Sequence, residues 1–476
     1  VAAIRPDEHT PRDVEEVAER GAPVVFDGDR LRVLRDRRGG AYRYADITHV
    51  ATTSRAVAIG TVRDTVVLRR REFASPEAMR ALEWALRDRI ARLPGGDARL
   101  ARMAELDQLA RAPGARAAVV GLIVLCLLVF VVQLRDAFVT HLGSFMPALF
   151  AEGELWRIVS AHFLHDLGLF PVHLGLNLLC IGAVGLLVER VLGTTRTVVV
   201  MAASGLGAMA GCVVADYAST VGASGVAAGL VGSLFCIELN GSRRLPVVWR
   251  VPRRIFVVAL IAQAAIDFFV PVIAGAAHVG GFLAGYAATR PFVADGLLRR
   301  PAGPLVRGMA VAVLLALPVT ALGLAPLVAR DPGALEQHAL RLLQSAGGSP
   351  VDDNDVAWVM VTESQPSDVG MQLAAALAER AVSETGRRDP NLLDTLAEVL
   401  FVAGDVAGAV MVIEEAIDLS GGERYFVEQR RRFVGERAPD DRPAPPTGPL
   451  RERLPRRSPH ELPFDEEPPE EPGVSI

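Results

Sequence analysis

No His-Glu-x-x-His motif and no Cys-x-x-Cys pair occurs in this sequence. The first absence speaks against a zinc hydrolase that uses two histidines one helical turn apart. The second speaks against a zinc ribbon or a dithiol redox centre. Cysteine is scarce: Cys126, Cys180, Cys212 and Cys236 are the four among 476 residues, and all lie in apolar stretches. They read as small buried side chains, not as a disulfide framework. A net charge of −5 offers nucleic acid little. Lysine is strongly disfavoured against arginine, a bias of GC-rich bacterial genomes. No cleavable leader is visible, because roughly the first hundred residues are polar; the apolar segment near Ala117 is expected to direct insertion itself.

What is abundant is apolar, and it is concentrated. The chain is 51% hydrophobic, with the excess between Ala117 and Val328. Runs of about 18 or more apolar residues are long enough to cross a bilayer. Seven spans are read near 117–134, 173–189, 197–215, 224–240, 255–274, 278–294 and 308–328. Arginines alternate with them. Arg111 and Arg116 precede the first span, Arg190 and Arg196 follow the second, Arg243, Arg244, Arg250, Arg253 and Arg254 follow the fourth, and Arg299, Arg300 and Arg307 follow the sixth. The remaining loops hold only Arg135 and Arg157. Basic loops stay in the cytoplasm. The expectation is a multi-pass protein of the bacterial cytoplasmic membrane, N-terminus inside and C-terminus outside.

The flanks read differently. Residues 1–110 form a small cytoplasmic α+β domain, loose to about residue 14. Short β-type runs at 24–26, 31–34, 42–44, 57–59 and 65–68 precede a helix capped by Ser75 with Pro76 at its first position. That order of elements resembles a pleckstrin-homology (PH) module. Residues 111–330 are the membrane domain. Residues 331–435 read as helical, with Ala378–Val382 echoed by Ile413–Ile417 about 35 positions later. This is the pattern of a tetratricopeptide (TPR) repeat or of an ordinary helical hairpin. Residues 436–476 are rich in Pro and acid and are expected to be disordered.

Three spans open with polar residues that lipid packing does not need: His173 and Asn177 on the second, Ser224 on the fourth, His278 on the sixth. Polar groups within spans are costly, so their default reading is functional. All three spans run from outside to inside, so these groups converge at one shallow depth. A serine needs a base to become a nucleophile, and His278 is the candidate. Gly225 and Gly229 on one span and Gly281 and Gly285 on the other are four residues apart, a small-xxx-small pattern that lets helix backbones approach. His173 and Asn177 share a helix face and offer donors for a developing oxyanion. His162 and His165 form His-x-x-His with no carboxylate following at zincin spacing and read as loop packing, so no metal and no cofactor is expected. Asp267 has no partner carboxylate on another span and reads as a structural hydrogen-bonding group.

These residues resemble the rhomboid intramembrane serine proteases over roughly 115–295. Trp156-Arg157 is similar to the family's first-loop motif, and Phe163-Leu164-His165 with His173 and Asn177 to its F-x-H…H-x-x-x-N signature. Gly222–Gly225 is similar to its G-x-S-G, and Ala277–Gly281 with Gly285 to its A-H-x-x-G-x-x-x-G. The resemblance implies an all-α polytopic bundle of six core spans, here with a seventh. It implies a Ser224–His278 dyad without a third acid, and an oxyanion hole of His173, Asn177 and the Ser224 amide. It also implies substrate entry by movement of the fifth span. Two departures stand out. The stretch from Asp166 to Val172 is longer than the family's spacing, and Ala228 stands where several bacterial relatives carry a tyrosine that stacks on the histidine. The expected function is an intramembrane serine endopeptidase that cuts transmembrane proteins near the outer face. Its partners are those substrates, the lipid bilayer and proteins bound by the soluble flanks. The alternative is a non-proteolytic rhomboid-like scaffold or quality-control binder.

Overall fold

The computed structural model describes residues 11–34, 40–62, 64–270, 273–294, 301–345 and 348–444. The chain begins with α1 (Pro11–Gly21), so the part expected to be loose is already helical from Pro11. Two antiparallel three-stranded meanders follow. One contains β1 (Val24–Asp27), β2 (Arg30–Val33) and β3 (Ala41–Arg43); the other contains β4 (Ile47–Thr52), β5 (Ala56–Thr61) and β6 (Thr65–Arg69). β4 is an element the sequence reading did not include. Ser75 Oγ accepts the Ala78 N–H to cap α2 (Pro76–Ala91), and α3 (Gly96–Arg111) follows it. Leu31, Ile59, Leu68, Leu82 and Leu86 form the buried centre of this unit.

The membrane body starts with α4 (Ala117–Arg135). Its first loop contains three short helices, α5 (Phe138–Gly143), α6 (Pro147–Ala151) and α7 (Arg157–Ser160). One rod then combines α8 (Val172–Cys180), a π-helical turn (Ile181–Gly185) and α9 (Leu186–Leu192). After it come α10 (Thr194–Val214), α11 (Ser224–Gly241), α12 (Arg253–Phe269), α13 (Gly275–Ala294) and α14 (Pro304–Val328). Among the described residues, five segments are long and apolar enough to cross a membrane by themselves: α4, the Val172–Leu192 rod, α10, α11 and α14. The expected fifth and sixth spans are present as helices but fall outside that set. α12 has only 17 residues. α13 is rich in Gly and Ala because it packs between α10 and α11, where close approach matters more than lipid affinity. Leu128, Val258, Phe268 and Leu322, on α4, α12 and α14, are all more than half exposed. Such a belt would aggregate in water and suits lipid. The protein is an integral membrane protein. All four cysteines are free thiols.

Six helices complete the described chain: α15 (Pro332–Gln344), α16 (Pro350–Thr362), α17 (Asp368–Glu384), α18 (Pro390–Val402), α19 (Val406–Leu419) and α20 (Arg424–Phe433). Asp331, Ser349, Ser367, Asp389 and Asp405 cap the first five through side-chain oxygens. Their core is continuous with the first loop, where Leu142, Met146 and Leu149 join Leu335, Leu342 and Met360. The N-terminal unit meets the other end of the bundle. Val247 N–H donates to His49 Nδ1 at 2.9 Å, and the Arg250 guanidinium donates to Thr48 Oγ1 at 3.0 Å and to the Thr61 carbonyl at 3.3 Å. The N-terminal and C-terminal units therefore sit at opposite ends of the helices. The acidic tail expected to be disordered lies, from residue 445 onward, outside the described residues.

The central contact is backbone on backbone. A Cβ on Gly281 would overlap the Gly225 carbonyl oxygen, one on Gly285 the Gly229 carbonyl, and one on Gly232 the Phe282 carbonyl. Ser233 and Thr289 hydroxyls bond at 2.6 Å further along the same seam. A Gly281→Val substitution cannot be relieved by a side-chain movement, because the atom it strikes is main chain. The expected cost is about 1–3 kcal/mol or more, read as a lowered thermal midpoint and a smaller folded yield in detergent. Gly308→Ala, which meets nothing within 4 Å, is expected to leave both unchanged.

Candidate functional site

Ser224 is the first residue of α11, and the turn before it is held from outside the helix. The Gly222 N–H donates to the Ala161 carbonyl at 2.9 Å, and Phe145 pairs with Thr220 in an isolated β-bridge. Gly222 has φ of +126°, a region that L side chains rarely adopt. Its missing side chain makes room: a Cβ there would lie 2.9 Å from His173 Nε2 and 3.7 Å from Asn177 Nδ2. The second span thus brings both polar groups to the turn that precedes Ser224.

Their hydrogen bonding favours donation. His173 Nδ1 accepts the Asp166 N–H at 3.2 Å, so a neutral ring carries its proton on Nε2, the nitrogen beside Gly222. Asn177 is 5% exposed, and its Nδ2 has no hydrogen-bond partner among the described residues. A buried donor left unpaired costs about 1–3 kcal/mol, a cost that proteins rarely carry without a use for the donor.

His278 lies in the first turn of α13. Gly225, next to Ser224, comes so close to that turn that a Cβ on it would lie 3.6 Å from the Ala277 carbonyl oxygen. His278 Nδ1 lies 2.8 Å from Asp267 Oδ1 and 3.2 Å from Gln263 Nε2, and Gln263 Nε2 donates to Asp267 Oδ1 at 2.8 Å. The carboxylate therefore accepts from Nδ1–H, which leaves Nε2 as the basic nitrogen. No hydrogen bond joins Ser224 to His278 in this arrangement. Resting enzymes often hold such pairs loosely and tighten them around substrate.

The comparisons with known proteins bear on this cluster. Residues 152–294 match the family model described as Rhomboid domain. This part of the chain is a rhomboid domain. Similar proteins include "Rhomboid protease GluP" of Bacillus subtilis (strain 168), 32% identical over 174 residues, which are 36% of this chain and 32% of that protein. "RHOMBOID-like protein 5" of Arabidopsis thaliana is 31% identical over 163 residues, 34% of this chain and 50% of that protein. "Rhomboid-like protease 3" of Toxoplasma gondii is 30% identical over 154 residues, 31% of this chain and 55% of that protein. The chain spans between about a third and about half of the length of these relatives.

Outside the cluster, the rhomboid domain uses its first loop as a brace. Trp156 Nε1 donates to the Leu142 carbonyl at 3.1 Å, and Gly323 of α14 packs on its ring. Arg157 is fully buried; it donates to Glu154 at 2.6 Å, to the Ser144 carbonyl at 2.7 Å and to the His141 carbonyl at 2.9 Å. Neither residue joins Ser224 or His278: the Trp-Arg pair holds the loop's backbone. Gln133 of α4 brackets His165, accepting its N–H at 3.0 Å and donating to its carbonyl at 2.9 Å. The His165 ring then packs edge-on against His173, at 5.2 Å between centroids, while His162 abuts Gly205 of α10. The lengthened stretch after His165 closes into a small turn, in which Asp166 Oδ1 accepts from Gly168 and Leu169 and returns the chain to His173.

Three hydrogen-bonded groupings have partners that the sequence reading did not name. Gln263 and Asp267 are four residues apart on one face of α12, at the depth of His278; that spacing was a usable signal. Gln133 gave none, since a single amide in an apolar span names no partner. The third is a buried chain that ties the first loop to the C-terminal helices. Glu154 Oε1 accepts from His338 Nδ1 at 2.6 Å, His338 Nε2 and His141 Nε2 lie 3.0 Å apart, and His141 Nδ1 meets Asp352 at 2.9 Å. Burial by itself raises the Glu154 carboxyl, but the His338 hydrogen bond and the charges of His338 and Arg157 outweigh it and hold the group at about 2. A depressed carboxyl contributes stability that is complete above its unfolded value near 4.5 and lost as pH falls through the folded one. The docking of loop and C-terminal helices is therefore expected to hold at neutral pH and to loosen as pH drops from about 4.5 towards 2. Glu154→Ala removes the partner of a buried arginine, at a cost of roughly 3–5 kcal/mol. Limited proteolysis and thermal unfolding at pH 7 should show that loss, and an unchanged midpoint would deny the tie its weight.

Proposed function

We propose that the protein is an intramembrane serine endopeptidase that uses Ser224 as nucleophile and His278 as general base. One observation carries the reading: Asn177 Nδ2, buried and without a partner, and His173 Nε2 both face the glycine turn that leads into Ser224. In this mechanism Ser224 Oγ attacks the scissile carbonyl carbon, and its proton passes to His278 Nε2 as the C–O bond forms. The negative carbonyl oxygen accepts from Asn177, His173 and the Ser224 amide. Collapse breaks the C–N bond, and His278 returns the proton to the leaving amine. Water then attacks the acyl ester, gives a proton to His278, and releases the carboxyl product and the serine hydroxyl.

The substrate class follows from position. The site lies at the helix ends on the first-loop side, which the arginine distribution assigns to the outer face. A peptide bond within an intact helix is shielded, so an easily unwound transmembrane segment with small residues fits best. α12 suits the role of a movable wall, since Phe256 alone among its residues is buried. On this reading the N-terminal sheets and helix form a PH-like cytoplasmic module. The C-terminal helices form a TPR-like module outside the cell membrane of a bacterium, and both are sites for partner proteins. The competing reading is a rhomboid-like scaffold without turnover.

Fluorophosphonate labelling in detergent separates the two. The wild type should label and Ser224→Ala should not; failure of the wild type to label or to cut any transmembrane reporter would leave the scaffold. His278→Ala should abolish cleavage with the fold retained, as judged by thermal unfolding. Asn177→Ala should lower kcat by about 100–1,000-fold, the usual loss for one oxyanion donor.

A further inference from the structure

We propose that Asp267 is the positioning carboxylate of His278, so that the site works as a Ser224–His278–Asp267 relay in place of a bare dyad. The inference rests on the reading of Ser224 and His278 as nucleophile and base, and deepens it. Its basis is geometric. Asp267 Oδ1 lies 2.8 Å from His278 Nδ1, and the side chains are only 15% and 12% exposed. Gln263, one turn earlier on α12, donates to the same carboxylate oxygen and fixes its orientation. Gly275, at the start of α13, permits the approach, since a Cβ there would stand 3.1 Å from Asp267 Cβ and 3.4 Å from its Cγ. At position 228, one turn into α11, stands an alanine, which offers no ring to hold the imidazole.

A carboxylate in that place does two things. It keeps the proton of neutral His278 on Nδ1, which leaves the Nε2 lone pair for the serine proton. When Nε2 takes that proton, the carboxylate faces a full imidazolium in a partly water-excluded site, where the pairing is stronger than in bulk water. Asp267 remains ionised throughout and exchanges no proton. The groups that face His278 are Asp267 and Gln263 from α12, and His173 from α8, which is close enough to interact with it electrostatically. Of these, Asp267 supplies the negative charge.

The rival explanation is a structural brace that ties α12 to α13. Asp267→Asn distinguishes them, because it keeps the size while an amide can present N–H to Nδ1 and favour the wrong tautomer. With full-length protein in detergent and a transmembrane reporter, the relay predicts a fall in kcat on the order of 100–10,000-fold with KM changed by no more than a few fold. The acid limb of the kcat/KM profile should move to lower pH, because the imidazolium has lost its counter-charge. Asp267→Glu should restore part of kcat. Thermal unfolding of all variants reports the brace separately. Asp267→Asn with wild-type kcat and an unshifted acid limb would overturn the relay and leave the Ser224–His278 protease intact, as would a variant that loses only thermal stability. A wild type that neither labels at Ser224 nor cleaves would overturn the protease reading and the relay with it.

Discussion

The contact between the main chains of α11 and α13 is the constraint on which the rest of the molecule depends. The two helices run parallel in a constant register, Gly225 against Gly281, Gly229 against Gly285 and Ser233 against Thr289. Within lipid there is no hydrophobic gain in bringing two helices together, so tight van der Waals packing and interhelical hydrogen bonds must do it. Glycine makes both possible by removing everything between the backbones. Because the helices are parallel, their N-terminal residues lie at one end, and Ser224 and His278 are both within the first turn. The crossing by α12 between them is what makes the parallel arrangement possible.

The polar groups of the site obey a second constraint, the expense of unpaired donors in a buried setting. Most are satisfied by partners that also fix their direction. Asp166 sets the His173 tautomer, Gln133 holds the backbone of His165 behind it, and Asp267 with Gln263 turns His278. Among the described residues His162 Nδ1, His165 Nε2 and Asn177 Nδ2 are exceptions, and of these the Asn177 amide is a donor that lies beside the Ser224 turn. Asn240, by contrast, bonds the Cys236 carbonyl of its own helix.

What the sequence made legible was what depends on local period and spacing. The apolar runs, the glycines four residues apart, the Ser75-Pro76 helix start and the signature residues of the rhomboid domain are all of this kind. Asp267 reads from sequence as a structural hydrogen-bonding group, and the structure pairs it with the imidazole of His278 on the next helix, a partner that no local pattern names. β4 was overlooked although Ile47, His49 and Val50 are buried along it; His49 is buried because it accepts from Val247 in a distant loop, which no local pattern encodes. The chain from Asp352 to Arg157 is of the same type. Its links join first-loop residues to residues of the C-terminal helices far along the chain, and each looks like an ordinary charged or polar residue until those helices fold onto the first loop. The segment after His165 closes through the Asp166 turn, which also fixes His173 Nδ1.

The C-terminal and N-terminal units grip the bundle at the first loop and at the loop between α11 and α12 respectively. Neither grip touches the C-terminal half of α12, where Phe268 and Phe269 are 80% and 75% exposed. The Asp267 bond to His278, with Gln263 donating to the same carboxylate, ties this half to α13. On the protease reading proposed above, that tie couples access to chemistry. A helix that enters beside α12 either leaves Asp267 in place, and then must unwind to pass a narrow opening, or pulls it away and leaves the imidazole without its orienting charge. The second route weakens the proposed base. The proposal therefore links selectivity for readily unwound segments to the carboxylate that turns the histidine.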